Sequence, residues 1–135
     1  MIMAQKPTRQ KSLRELAKGV GLYPAEAYEF VQLGLNHTVQ KVHGEVKDPK
    51  ASRHVSGQQL CEGLREFALS QWGLLARTVL RRWNVTSTLD FGRIVFAMIE
   101  FECMQKTEED TLDDFRDVYE FRVAFESEYR IASMS

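Results

Sequence analysis

Asp90 to Phe101 reads DFGRIVFAMIEF, and the fold turns on how this run is read. It is apolar nearly all round, which predicts a helix buried at the centre of the molecule. Asn84 to Thr88 forms the turn before it. Ser87 or Thr88 can cap the helix, and Asp90 lies in its first turn, where a negative charge favours the positive helix end. Ile94 to Phe101 also satisfies a strand reading, because Ile, Val and Phe favour strands, and that alternative stays open.

Working back from this run, Ser56 and Gln59 form a capping-box pattern. The face that follows (Leu60, Leu64, Phe67, Ala68, Gln71) is amphipathic as far as Trp72-Gly73. A second helix then turns Leu75, Val79, Leu80 and Trp83 inward and Arg77, Arg81 and Arg82 outward. Gly44 to Arg53 is polar and aperiodic, the longest internal loop. Pro24 suits the first turn of a helix to about Val42, with Tyr28, Val31, Leu35, Val39 and Val42 on one face. A shorter helix spans Ser12 to about Lys18, ended by Gly19 and Gly21. Residues 1 to 11 lack an apolar face and read as a mobile basic tail.

Working forward, Cys103 to Lys106 is a connector or a short strand. A last helix begins near Thr107 or Thr111, each followed three residues later by an Asp. It carries Leu112, Phe115, Tyr119 and Phe125 at least as far as Tyr129. The sum is an all-α single domain over residues 12 to 135. It is a bundle of about five or six helices, with room for one small β-hairpin.

At 135 residues the chain is long enough to bury a core without disulfides or a metal. The N-terminal MIMAQKPTRQK has no apolar stretch after its basic residues, and the longest unbroken apolar run, Ile94 to Ile99, is too short to span a bilayer. A soluble, cytoplasmic protein is expected. Cys61 and Cys103 stand apart from each other and from metal spacing, as buried, reduced thiols do.

The near-neutral total conceals a split. Residues 1–82 hold 13 Lys/Arg against 7 Asp/Glu, a net +6, and residues 83–135 hold 5 against 12, a net −7. Such asymmetry points to an electrostatic partner, outside the molecule or in its other half. The candidate contacts are Arg77, Arg81 and Arg82 on one side and Asp110, Asp113, Asp114 and Asp117 on the other. Internal pairing of the acidic last helix with the basic helix competes with both.

Chemistry has little to stand on. His37, His43, His54 and Cys61 are separated by five, ten and six residues, which fails the paired spacing of zinc sites. His37 and His43 also fall on opposite sides of a helix. Cys61 beside Leu60 reads as an inert core thiol rather than a nucleophile. The acidic run from Glu108 to Asp117 lacks the alternating pattern of a calcium loop and fits helix N-terminal charge. No phosphate-binding loop, dinucleotide fingerprint or nucleophile elbow occurs. No catalytic, cofactor-binding or metal residues are therefore expected. A DNA-reading helix is disfavoured too, since Arg93 is the single basic residue of the Asp90 to Phe101 run. Salt-sensitive contact of the basic tail and the arginines with RNA or the ribosome remains open.

AYEFV (Ala27 to Val31), HVSGQQL (His54 to Leu60), the Trp72-Gly73 pair, TLDFGRIVF (Thr88 to Phe96) and KTEEDTLDDF (Lys106 to Phe115) together resemble a family of small conserved proteins of planctomycetes and verrucomicrobia. That family has no assigned activity. The resemblance spans Tyr23 to Tyr129 and implies a bacterial, cytosolic protein. It carries no catalytic residues across. The expectation for function is a non-enzymatic interaction or regulatory adaptor module, with a protein partner or further copies of itself. The alternative is an RNA- or ribosome-associated protein.

Overall fold

The computed structural model describes residues 3, 4, 10–44 and 54–127. Most of the expected loop at Gly44 to Arg53, most of the expected tail, and Tyr129 lie outside them. The architecture is all-α, with five α-helices among the described residues: α1 (Gln10–Val20), α2 (Ala25–His43), α3 (Gly57–Trp72), α4 (Ala76–Arg82) and α5 (Thr88–Glu100).

α1 starts two residues before the expected Ser12 and continues through Gly19. Gly21 ends it at φ +72°, its N–H bonding to Ala17 O at 2.9 Å. Because α1 tolerates Gly19 in its interior with open space around the missing side chain, Gly19→Ala should stabilise the fold by about 0.5–1 kcal/mol. A urea midpoint measured against the parent checks this. Pro24 sits one position earlier than expected, as the extended N-cap of α2.

The Ser56–Gln59 box forms as its spacing dictates. The Gln59 N–H donates to Ser56 Oγ at 3.0 Å and the Ser56 N–H to Gln59 Oε1 at 2.8 Å. α3 crosses α2 at close range, with Gly34 under Leu64 and Gly63 under Thr38. It stops at Gly73, whose φ of +51° an L side chain rarely adopts.

α5 is a helix, and the strand reading of Ile94 to Phe101 falls. Phe91, Ile94, Val95 and Met98 are fully buried, recurring at three- and four-residue steps against one core. Tyr28, Val31, Leu35, Leu60, Leu64, Phe115 and Phe125 belong to the same core. The Cys103 to Lys106 connector does contain a strand, β2 (Met104–Gln105), but not in a hairpin. Its antiparallel partner is β1 (Met3–Ala4), in the register Met3 with Gln105 and Ala4 with Met104. The expected mobile tail is thus corrected at Met3 and Ala4, and at its last two residues, Gln10 and Lys11, which belong to α1.

The expected last helix also requires correction. Both threonines cap, the Thr107 and Thr111 N–H groups donating to Asp110 Oδ2 and Asp114 Oδ2 at 2.9 Å each. Yet only a 3-10 turn, Leu112–Phe115, follows the second cap. Arg116 is extended and Asp117 has φ +50°. The cause is tertiary. The Thr88 hydroxyl donates to Phe115 O at 2.6 Å, taking the carbonyl that continued helix would need, and accepts from the Val118 N–H at 3.2 Å. Phe115 packs directly on Gly92, where even a Cβ would come within 2.7 Å. Helical turns resume at Phe121 and widen into a π-type turn over Val123–Ser127.

Candidate partner-binding surface

The corner where α3 passes into α4 joins apolar, aromatic and basic groups. Phe30 of α2 gathers Trp72 and Trp83, with ring centroids 5.2 and 5.8 Å away, and the two indoles meet edge to face at 5.4 Å. Both tryptophans are half-buried. Between them the 3-10 turn Gly73–Leu75 leaves Leu74 and Leu75 59% and 63% exposed. Leu33, one turn beyond Phe30, is exposed as well. The Asn84 side chain donates to Leu22 O at 3.3 Å, closing the corner against the turn before α2.

Leu75 was expected to face inward, and the 3-10 turn explains why it does not. That turn shifts the phase of α4, so Ala76 and Leu80 take the inward positions. The arginines follow the expected stripe in part. Arg81 and Arg82 are exposed in the last turn, where positive charge complements the helix C-terminus, and Arg77 is half-buried.

The acidic set does not form one face. Asp110 is buried under Thr107, and Asp114 is half-buried under Thr111, so both act as caps. Asp113 is exposed and accepts from Arg116 Nε at 2.8 Å. Asp117 is exposed and joins Glu120, Thr86, Ser87, Tyr119 and Phe121 around a cleft of about 360 Å³. Tyr119 and Phe121 have ring centroids 6.0 Å apart and planes inclined at 29°, and the Tyr119 hydroxyl is fixed by donation to Cys61 O at 2.6 Å. Among the described residues none of Arg81, Arg82, Asp117 and Glu120 has an ion-pair partner. Glu120 and the cleft were not foreseen, because Thr86 and Ser87 come from a distant part of the chain.

Asp90 is more than a first-turn charge. Only 5% exposed, it accepts from the Tyr23 hydroxyl at 2.6 Å, the Thr86 and Ser87 N–H groups at 2.9 and 3.2 Å, and Arg93 Nη1 at 3.1 Å. Burial pushes its carboxyl up, but these donors outweigh burial and hold it below the usual range. Burial and the adjacent carboxylate both push the Tyr23 phenol up. With its acceptor sites filled, Asp90 ties three segments together and is not a free base.

Cys61 and Cys103 are free thiols and buried, and burial drives the Cys61 thiol far above its ordinary value. Neither should react with a maleimide in the folded protein, and both should label in urea, as mass spectrometry would count. The histidines do not converge. His37 Nε2 lies 3.7 Å from Glu66 Oε2, beside the Lys41–Glu66 pair, whereas His43 Nε2 lies 2.6 Å from His54 O. No group of three His, Cys, Asp or Glu among the described residues could hold a metal ion.

No protein-family model, curated protein or solved structure matches the chain.

Proposed function

We propose that the protein is a non-enzymatic interaction module, an adaptor or regulatory subunit, that docks an acidic partner surface on the α3–α4 corner. The observation that carries this reading is the exposed Leu74–Leu75 pair set between two half-buried tryptophans, with Arg81 and Arg82 exposed in the last turn of the helix that follows. Trp and Arg are enriched at interface hot spots, and adjoining exposed apolar groups mark interaction surfaces. Two buried cysteines that form no disulfide support a reducing compartment, the cytoplasm. No helix among the described residues is long and apolar enough to cross a membrane. RNA contact would want open aromatic faces on which bases stack. Here the indoles pack on Phe30 and on each other, which favours a protein partner.

The test compares the parent protein with Leu74→Asp/Leu75→Asp and Arg81→Glu/Arg82→Glu variants in pull-downs from native lysate, with and without nuclease. Any captured protein is then purified and rebound directly. Expected is a stoichiometric protein, this chain or another, that survives nuclease and is lost about tenfold or more in both variants, or about 1.4 kcal/mol. Signal that nuclease abolishes, or that both variants retain, would overturn the reading.

A further inference from the structure

Resting on that reading, we propose that the acidic surface docked by the corner belongs to a second copy of this chain. Arg81 and Arg82 of one copy enter the cleft formed by Asp117, Glu120, Thr86, Ser87, Tyr119 and Phe121 of another. Both halves of the contact stand ready on every molecule. Arg81 and Arg82 are exposed cations, Asp117 and Glu120 are exposed anions, and none of the four has an ion-pair partner among the described residues.

The chemistry of the cleft fits a guanidinium. The two carboxylates only accept hydrogen bonds. The hydroxyls of Thr86 and Ser87 already donate to Asp90 Oδ2, at 3.3 and 3.4 Å, which leaves their lone pairs as acceptors. Half-buried Tyr119 and buried Phe121 form the apolar wall of the cleft, against which a weakly hydrated guanidinium packs more readily than an ammonium. An acceptor-lined, aromatic cleft of about 360 Å³ has room for a side chain with five donors and no acceptor.

Charge decides how the copies meet. Two corners placed face to face would oppose Arg81 and Arg82 with their own duplicates, which repel. The surfaces that meet must therefore differ, arginines against cleft, either reciprocally about a two-fold axis or head to tail. The totals agree, since a basic half of net +6 and an acidic half of net −7 leave each added copy almost neutral. A foreign acidic partner would instead leave the cleft unmatched.

Sedimentation of the purified full chain, across concentration and salt, reads the contact. Expected is a species at least twice the 15.6 kDa monomer at about 0.15 M salt that reverts to monomer at about 1 M, where screening reaches within about 3 Å. Arg81→Glu/Arg82→Glu should be monomeric. So should Asp117→Asn/Glu120→Lys, in which Asn tolerates the positive φ at position 117. Mixing the two variants restores arginine against carboxylate at one contact and glutamate against lysine at the other, so the mixture should regain the larger species. Unchanged melting curves show that each variant is folded. A parent that stays monomeric, or a mixture that does, overturns the inference. If the corner variants still release a different protein in the pull-down, the interaction module stands without self-association.

Discussion

Asp90→Ala should lower the unfolding free energy by about 3 kcal/mol, the sum expected when one charged acceptor is taken from a buried hydroxyl and two backbone donors. The Tyr23 hydroxyl would suffer most, since its ring is buried and its bond to Asp90 is 2.6 Å long. Arg93 adds little, because its side chain is about half exposed. Tyr23→Phe removes one donor and should cost about 1–2 kcal/mol. The double variant should cost clearly less than the sum, as neighbours in one network do. Urea unfolding of the three variants checks both the size and the coupling.

The same carboxylate sets a pH dependence. Its pKa is lower in the folded protein than the value of about 3.9 it takes when unfolded, so between those values the unfolded chain binds more protons. Its contribution is fully present above the unfolded value and is lost as pH falls through the folded one. Urea midpoints should therefore drop as pH is taken below about 4. Asp90→Asn should flatten that slope. Glu66 is also held low, through the Lys41 hydrogen bond, but it is exposed enough for solvent to screen most of its effect. An unchanged slope in the Asn variant would reject Asp90 as the source.

Gly63→Ala carries the second large effect, an expected loss of about 2–3 kcal/mol despite the better helix propensity of alanine. A Cβ at Gly63 would lie 2.8 Å from Thr38 Cβ and still closer to its hydroxyl. Thr38 cannot simply rotate away, because its hydroxyl donates to Gly34 O at 2.7 Å and is buried. α2 and α3 would have to separate, uncovering Leu35, Leu60 and Leu64. Thr38→Ala in the same chain removes the hydroxyl and the methyl and should return part of the loss. A single variant within about 0.5 kcal/mol of the parent would mean that this crossing is loose.

What the sequence discloses and what it hides divide along the range of the interactions. The Ser56–Gln59 box and the stop at Gly73 involve neighbours a few residues apart, and both form as read. The caps at Thr107 and Thr111 form too, but a cap marks where a turn begins, not how many turns follow. Their lengths are set by Thr88 and by Phe115 on Gly92, which no local pattern encodes. The exposure of Arg81 and Arg82 follows from helical spacing. The exposure of Leu75 does not, because one 3-10 turn moves the phase of everything after it. The Asp90 knot needs Tyr23, which lies 67 residues away in sequence, and the cleft needs Thr86 and Ser87 opposite Asp117 and Glu120.

The chain has only two tryptophans, and they touch each other at the α3–α4 corner. Intrinsic fluorescence excited at the indole band is therefore a single-site optical reporter of that corner, with no second emitter elsewhere to dilute it. Helical circular dichroism averages over every helix of the chain, so the two signals watch different parts of one molecule. Coincident melting by both would establish that the corner and the bundle unfold as one cooperative unit. Anything that settles on Leu74 and Leu75 would shift the emission without a label, at concentrations where weighing the complex is impractical.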